Sequence, residues 1–135
     1  MNLARLRHQL LNMLAPGGGA IPAGLSAIDW QALDAMAAQH RLRPLMHARF
    51  KSIAGVPEVV SQTWRQSHRL AAMEALVADQ DLAETTAILE QLGHQPIALK
   101  GAWLARHVYP EVAQRPMRDL DLLLERLVDP VELVL

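Results

Sequence analysis

From Pro57 to Gly93 the chain contains neither proline nor glycine. These are the two residues that most disfavour a helix interior, proline by lacking an N–H and clashing with the preceding turn, glycine by its backbone freedom. Alanine is frequent in between, so the stretch is expected to form one long helix or two abutting helices, with Gly93 as the C-cap. Leu70, Met73 and Val77 make one apolar stripe, and Leu82, Ile88, Leu89 and Leu92 make another rotated around the axis. Asp79-Gln80-Asp81 lies between them, where a bend or a change of packing partner is expected. Such a stripe can serve oligomerisation, but its common use is ordinary core.

The segments before Pro57 read as further helices. Leu3, Leu6, Leu10 and Leu14 recur at helical spacing ahead of the flexible run Pro16-Gly17-Gly18-Gly19. Ser26 with Asp29 three residues later resembles a capping box, opening a second helix through Trp30, Leu33, Met36 and Ala37 that ends near His40. After Arg43-Pro44 a short helix is expected from Leu45 to Ile53, closed by Gly55 and Pro57. The chain is long enough for one domain, and its 51% apolar residues can supply a core in which aromatics, at 4%, play a small part.

A net charge of −1, from 13 basic and 14 acidic residues, gives no general electrostatic case for nucleic acid or an anionic membrane as partner. Any affinity for phosphate must be local. Without cysteine there are no disulfides or thiolate metal sites, and a cytoplasmic location is expected. No stretch approaches the roughly 18 apolar residues of a membrane span, and the first residues lack the features of a signal peptide. The six histidines show no metal-ligand spacing, and no serine stands in a nucleophile motif.

Chemistry concentrates between Ala98 and Leu124. The run Pro96-Ile97-Ala98-Leu99 reads as a strand, Lys100-Gly101 as a turn, and Ala102 to Val108 as a short helix ended by Tyr109-Pro110. A helix N-terminus leaves N–H groups unpaired and carries partial positive charge, so a phosphate can sit there with Lys100 as an added cation. Only Lys51 and Lys100 are lysines. The alternative is a plain tight turn, with Gly101 supplying positive φ and Lys100 solvated. Arg115 and Arg118, on a proline-containing loop, offer guanidinium groups of the kind that bind phosphate bidentately. A second strand is expected around Leu120 to Leu124. In an extended chain Asp119 and Asp121 project to one side, and Leu120, Leu122 and Leu124 to the other. Two such carboxylates can hold Mg²⁺, whose remaining positions go to water and substrate phosphate. Taken alone, the pair is also what a solvated strand edge carries.

Leu99-Lys100-Gly101 followed by Arg115-Pro116-Met117-Arg118-Asp119-Leu120-Asp121-Leu122-Leu123 resembles the nucleotidyltransferase superfamily that includes DNA polymerase beta. The resemblance is closer to its branch of uncharacterised bacterial nucleotidyltransferases. It extends upstream through Gln39-His40-Arg41-Leu42-Arg43-Pro44-Leu45. It implies Mg²⁺- or Mn²⁺-dependent transfer of a nucleotidyl group from an NTP to an acceptor it does not identify. Asp119 and Asp121 would be catalytic metal ligands, with Lys100, Gly101, Arg115 and Arg118 binding phosphate. Two departures stand out. Ala102 occupies the position after Gly101 where the superfamily has Gly or Ser, and the family's third carboxylate, on a later strand, has no counterpart before Leu135.

The expected fold is therefore α+β and predominantly helical. A helical region over 1–93 precedes a partial nucleotidyltransferase core over 94–135, as if the domain were truncated at its C-terminal end. The competing reading is a non-catalytic member acting as a helical interaction or regulatory module. Two strands alone are marginal in water, and Val131, Leu133, Val134 and Leu135 form an apolar end. Association with a second copy through the strand edge and C-terminus is expected.

Overall fold

A computed structural model describes residues 2–17 and 19–126 of the chain. The fold is α+β and mostly helical, as expected, with five α-helices and one small antiparallel sheet among the described residues. The chain divides into two compact units, Met1–Ala71 and Ala72–Leu135.

In the first unit α1 (Leu3–Met13), α2 (Ala27–Gln39), α3 (Arg43–Phe50) and the first turns of α4 (Glu58–Gln91) enclose one apolar core. Trp64, Met13, Leu33 and Met46 are its largest fully buried side chains. The capping box forms: the Ser26 hydroxyl accepts from Asp29 N–H at 3.2 Å, and the Asp29 carboxylate accepts from Ser26 N–H at 3.1 Å. Two backbone carbonyls at the end of α1, those of Leu14 and Ala15, accept from the Arg49 guanidinium of α3. Asp34 joins three elements. It accepts from Arg43 Nε at 2.9 Å and Nη2 at 2.6 Å, and from Trp64 Nε1 at 2.9 Å. The third helix starts two residues earlier than Leu45 because Pro44 fits its first turn, where no N–H is needed.

The long Pro- and Gly-free stretch is one helix, α4, and Gly93 (φ 84°) follows its end. No break occurs at Asp79-Gln80-Asp81. One expectation reverses: Leu70, Met73 and Val77 do not form core, and are 57%, 66% and 60% exposed. In the second unit the half-covered positions of α4 are instead Ala72, Ala75, Ala78, Asp79, Leu82, Thr86 and Leu89. These recur every three or four residues, a single helical face of mostly small side chains. This face carries Asp79, which pairs with Arg106 of α5 (Lys100–His107), a contact that a count of apolar residues does not register.

The second unit holds β1 (His94–Leu99), α5, a 3₁₀ turn at Val112–Gln114, and β2 (Asp121–Arg126). The strands pair antiparallel, from His94 opposite Arg126 to Leu99 opposite Asp121. Directly opposed residues share a face. Leu99, Ile97 and Gln95 therefore lie with Asp121, Leu123 and Glu125, and this face is the more open one. Leu122 is half-buried on the other face, but Leu124 there is still 43% exposed. The apolar C-terminal residues of the association argument lie outside the described residues.

Candidate functional site

The ends of the two strands meet where β1 passes into α5. Leu99 is extended (φ −115°, ψ 163°) and caps α5 without a side-chain hydrogen bond, so the first N–H groups of the helix keep their capacity to bind an anion. The positive φ of the turn belongs to Lys100, at 50°, and not to Gly101. A left-handed conformation costs a residue with a Cβ about 1–2 kcal/mol. Gly101 serves a different purpose. A Cβ built on it would stand 3.2 Å from both Cγ and Sδ of Met117. The missing side chain lets Met117 lie over the turn, so the two halves of the motif touch through Gly101 and Met117.

Lys100 Nζ lies 3.2 Å from Asp121 Oδ2. The pair sits at the last rung of the ladder, and both groups reach solvent, with side chains 77% and 45% exposed. The second acid of the motif is thereby brought to the cation of the turn across more than twenty residues of sequence. Asp119 is placed differently from the expectation. The ladder starts at Asp121, because the chain opposite Asp119 and Leu120 has already turned into α5 and offers no strand to pair with. Asp119 stands exposed in the connection leading into β2, and its orientation is not imposed by the sheet.

Arg115 ends the 3₁₀ turn and Arg118 follows Pro116 and Met117; both are exposed. Among the described residues neither guanidinium is paired with an acid, so both remain available to an anionic ligand. No group of three or more His, Cys, Asp or Glu residues able to hold a metal occurs among the described residues. Asp129 and Glu132 lie outside them.

Residues 26–135 match the family described as uncharacterised nucleotidyltransferase. The chain belongs to this family. No curated protein and no solved structure matches it. The nucleotidyltransferase match begins at Ser26, the N-cap of α2, and so takes in the Lys100-Gly101 turn and the Asp119-Leu120-Asp121 segment while leaving α1 outside. No described helix is long and apolar enough to cross a membrane.

Trp103 and His107, to which sequence alone assigns no specific role, form a pair on α5. Their rings stack at 4.7 Å with an interplanar angle of 11°, and His107 Nδ1 lies 2.9 Å from the Trp103 carbonyl oxygen. Trp103 lies three residues after Lys100 and is 46% exposed, whereas Trp30 and Trp64 are buried. An aromatic one helical turn after Lys100 was the available signal.

Proposed function

We propose that this protein transfers a nucleotidyl group from an NTP to an acceptor, with Asp119 and Asp121 holding Mg²⁺ or Mn²⁺. The observation that carries the reading is the 3.2 Å pairing of Lys100 with Asp121, the meeting of the turn's cation with the motif's acid in a nucleotidyltransferase family member. The donor set suits the ion: two carboxylates are the hard oxygen ligands Mg²⁺ takes, and both are accessible from solvent. When bound, the ion neutralises triphosphate charge and lowers the pKa of an acceptor hydroxyl.

The protein's own part is electrostatic and positional. Lys100 has three donors on a flexible stem, so it can leave Asp121 and donate to β- or γ-phosphate oxygens. Asp121 then keeps its full charge for the cation. The uncapped N–H groups of α5, that of Gly101 among them, add donors to the same phosphates. Arg115 or Arg118 supplies the bidentate partner for charge developing on the transferred phosphoryl.

Titration with Mn²⁺ in the presence of NTP tests this. Binding should be present in the wild type and absent in the Asp119→Asn, Asp121→Asn double variant, since amides lose the charge that offsets dehydration of the ion. Lys100→Ala should weaken triphosphate more than nucleoside. Unchanged metal binding in the double variant would remove the site assignment.

The exposed Leu70, Met73, Leu76 and Val77 along α4 favour a second reading, a non-catalytic interaction module. Wild-type protein that binds neither metal nor NTP would support it. Association with a second copy through the strand edges belongs to the proposal as well, because the sheet has only two strands among the described residues and leaves Ile97 and Leu123 about half exposed on one face. Light scattering should show mass rising with concentration; a constant monomer mass would exclude it.

A further inference from the structure

Beside the turn, a groove of about 440 Å³ is lined by Ile97, Ala98, Leu99, Lys100, Trp103 and Leu104. That size lies within the roughly 300–1,000 Å³ of ordinary small-molecule sites. Its walls are apolar except at Lys100, the single charged group in the lining. A ligand suited to it has a flat apolar end and an anionic end.

Trp103 fits the flat end. Residues three apart on a helix are neighbours, and side chains lean toward the helix N-terminus, so the indole leans toward the Lys100 end of α5. His107 covers one side of the indole as a stacked plate, and the 2.9 Å contact of its Nδ1 with the Trp103 carbonyl oxygen fixes that plate. The indole is thus backed and oriented, but still 46% exposed. A backed indole with open ring surface beside a cation is a geometry on which a second flat ring can stack.

We propose that Trp103 is the base-stacking residue of the nucleotide site, with the nucleobase in the groove and the phosphates at Lys100. This inference rests on the nucleotide reading above and adds the position and character of base recognition. Apart from Lys100, the hydrogen-bonding group on the lining side chains is the Trp103 indole N–H, which lies in the ring plane and cannot reach the edge of a base stacked on the ring face. Recognition is therefore by the π-face, which every base has, and the site does not discriminate among the four bases.

The test is calorimetric titration of the full chain at fixed Mg²⁺ with ATP, GTP, CTP, UTP and inorganic tripolyphosphate. Trp103→Ala should weaken all four nucleotides by about ten-fold or more, the size of one base–aromatic stack, and leave tripolyphosphate unchanged. Trp103→Phe should retain most of the nucleotide affinity. Trp103→Leu keeps apolar volume without a π-face and should behave like the alanine variant, which covers the case in which Trp103→Ala fails to fold. Equal losses for nucleotides and tripolyphosphate, or full nucleotide affinity in Trp103→Leu, would overturn the stacking role while leaving the phosphate site standing. Wild-type protein that binds neither nucleotide nor tripolyphosphate would overturn both.

Discussion

Lys100 concentrates the opposing demands on a single residue. Its φ of 50° is costly for a side chain with a Cβ, and its ion pair with Asp121 is too exposed to repay that cost. Surface pairs contribute about 0–1 kcal/mol. Backbone strain persists where surrounding structure enforces it, and it gathers at functional sites. Lys100→Gly should therefore leave stability unchanged or raise it by up to about 1 kcal/mol, relief of strain being partly offset by the entropy of glycine in the unfolded chain. The same variant should bind triphosphate more weakly. Thermal melts and phosphate titrations on one preparation decide it, and a clear loss of stability would show that the lysine side chain is structural.

At the scale of single elements, α2 is fixed at its start and along its length by two different devices. Hydrogen bonds from the Ser26 backbone and hydroxyl hold the Asp29 carboxyl below its ordinary pKa. A depressed carboxylate contributes stability that is present above its unfolded pKa and lost as pH falls through the folded value. Stability should therefore drop in that acid window, and Asp29→Asn should flatten the dependence, as read from denaturant midpoints against pH. Ser26→Ala should cost about 1 kcal/mol at neutral pH. Further along, Asp34 accepts from Arg43 and Trp64 together, and its hydrogen bonds raise the Arg43 pKa further above its ordinary value. Asp34→Ala leaves an indole N–H and a guanidinium without their partner in a part-buried setting. A loss of about 2–3 kcal/mol is expected, and chemical denaturation would measure it.

For the molecule as a whole, the two units differ in what holds them. The first contains Trp, Phe, Leu and Met in its buried core, whereas the fully buried apolar residues described in α5 and the 3₁₀ turn are Ala102, Ala105 and Ala113. Small side chains bury little area, at about 25 cal/mol per Å². The second unit should therefore open more readily. Amide hydrogen exchange should be faster in β1, α5 and β2 than in α2 and the first turns of α4, and NTP with Mg²⁺ should slow it in the second unit first. Equal protection in both units without ligand would contradict this account of the core.

Local rules written into the sequence determined the helix of Glu58–Gln91, the Ser26–Asp29 capping box and the strand, turn and helix around Lys100-Gly101, because propensity, capping and turn chemistry act between near neighbours. The family was legible too, since its motif is contiguous apart from one gap. Tertiary structure alone decided which stripe of α4 is covered. Periodicity identifies apolar faces without ranking them, and the face that is covered is the one bearing Asp79, which pairs with Arg106 of another element. It also decided that β2 begins at Asp121, since a strand starts where its partner stops turning away. The roles within the turn are tertiary too: Gly101 is in close contact with Met117 of the later segment, and the positive φ falls on Lys100.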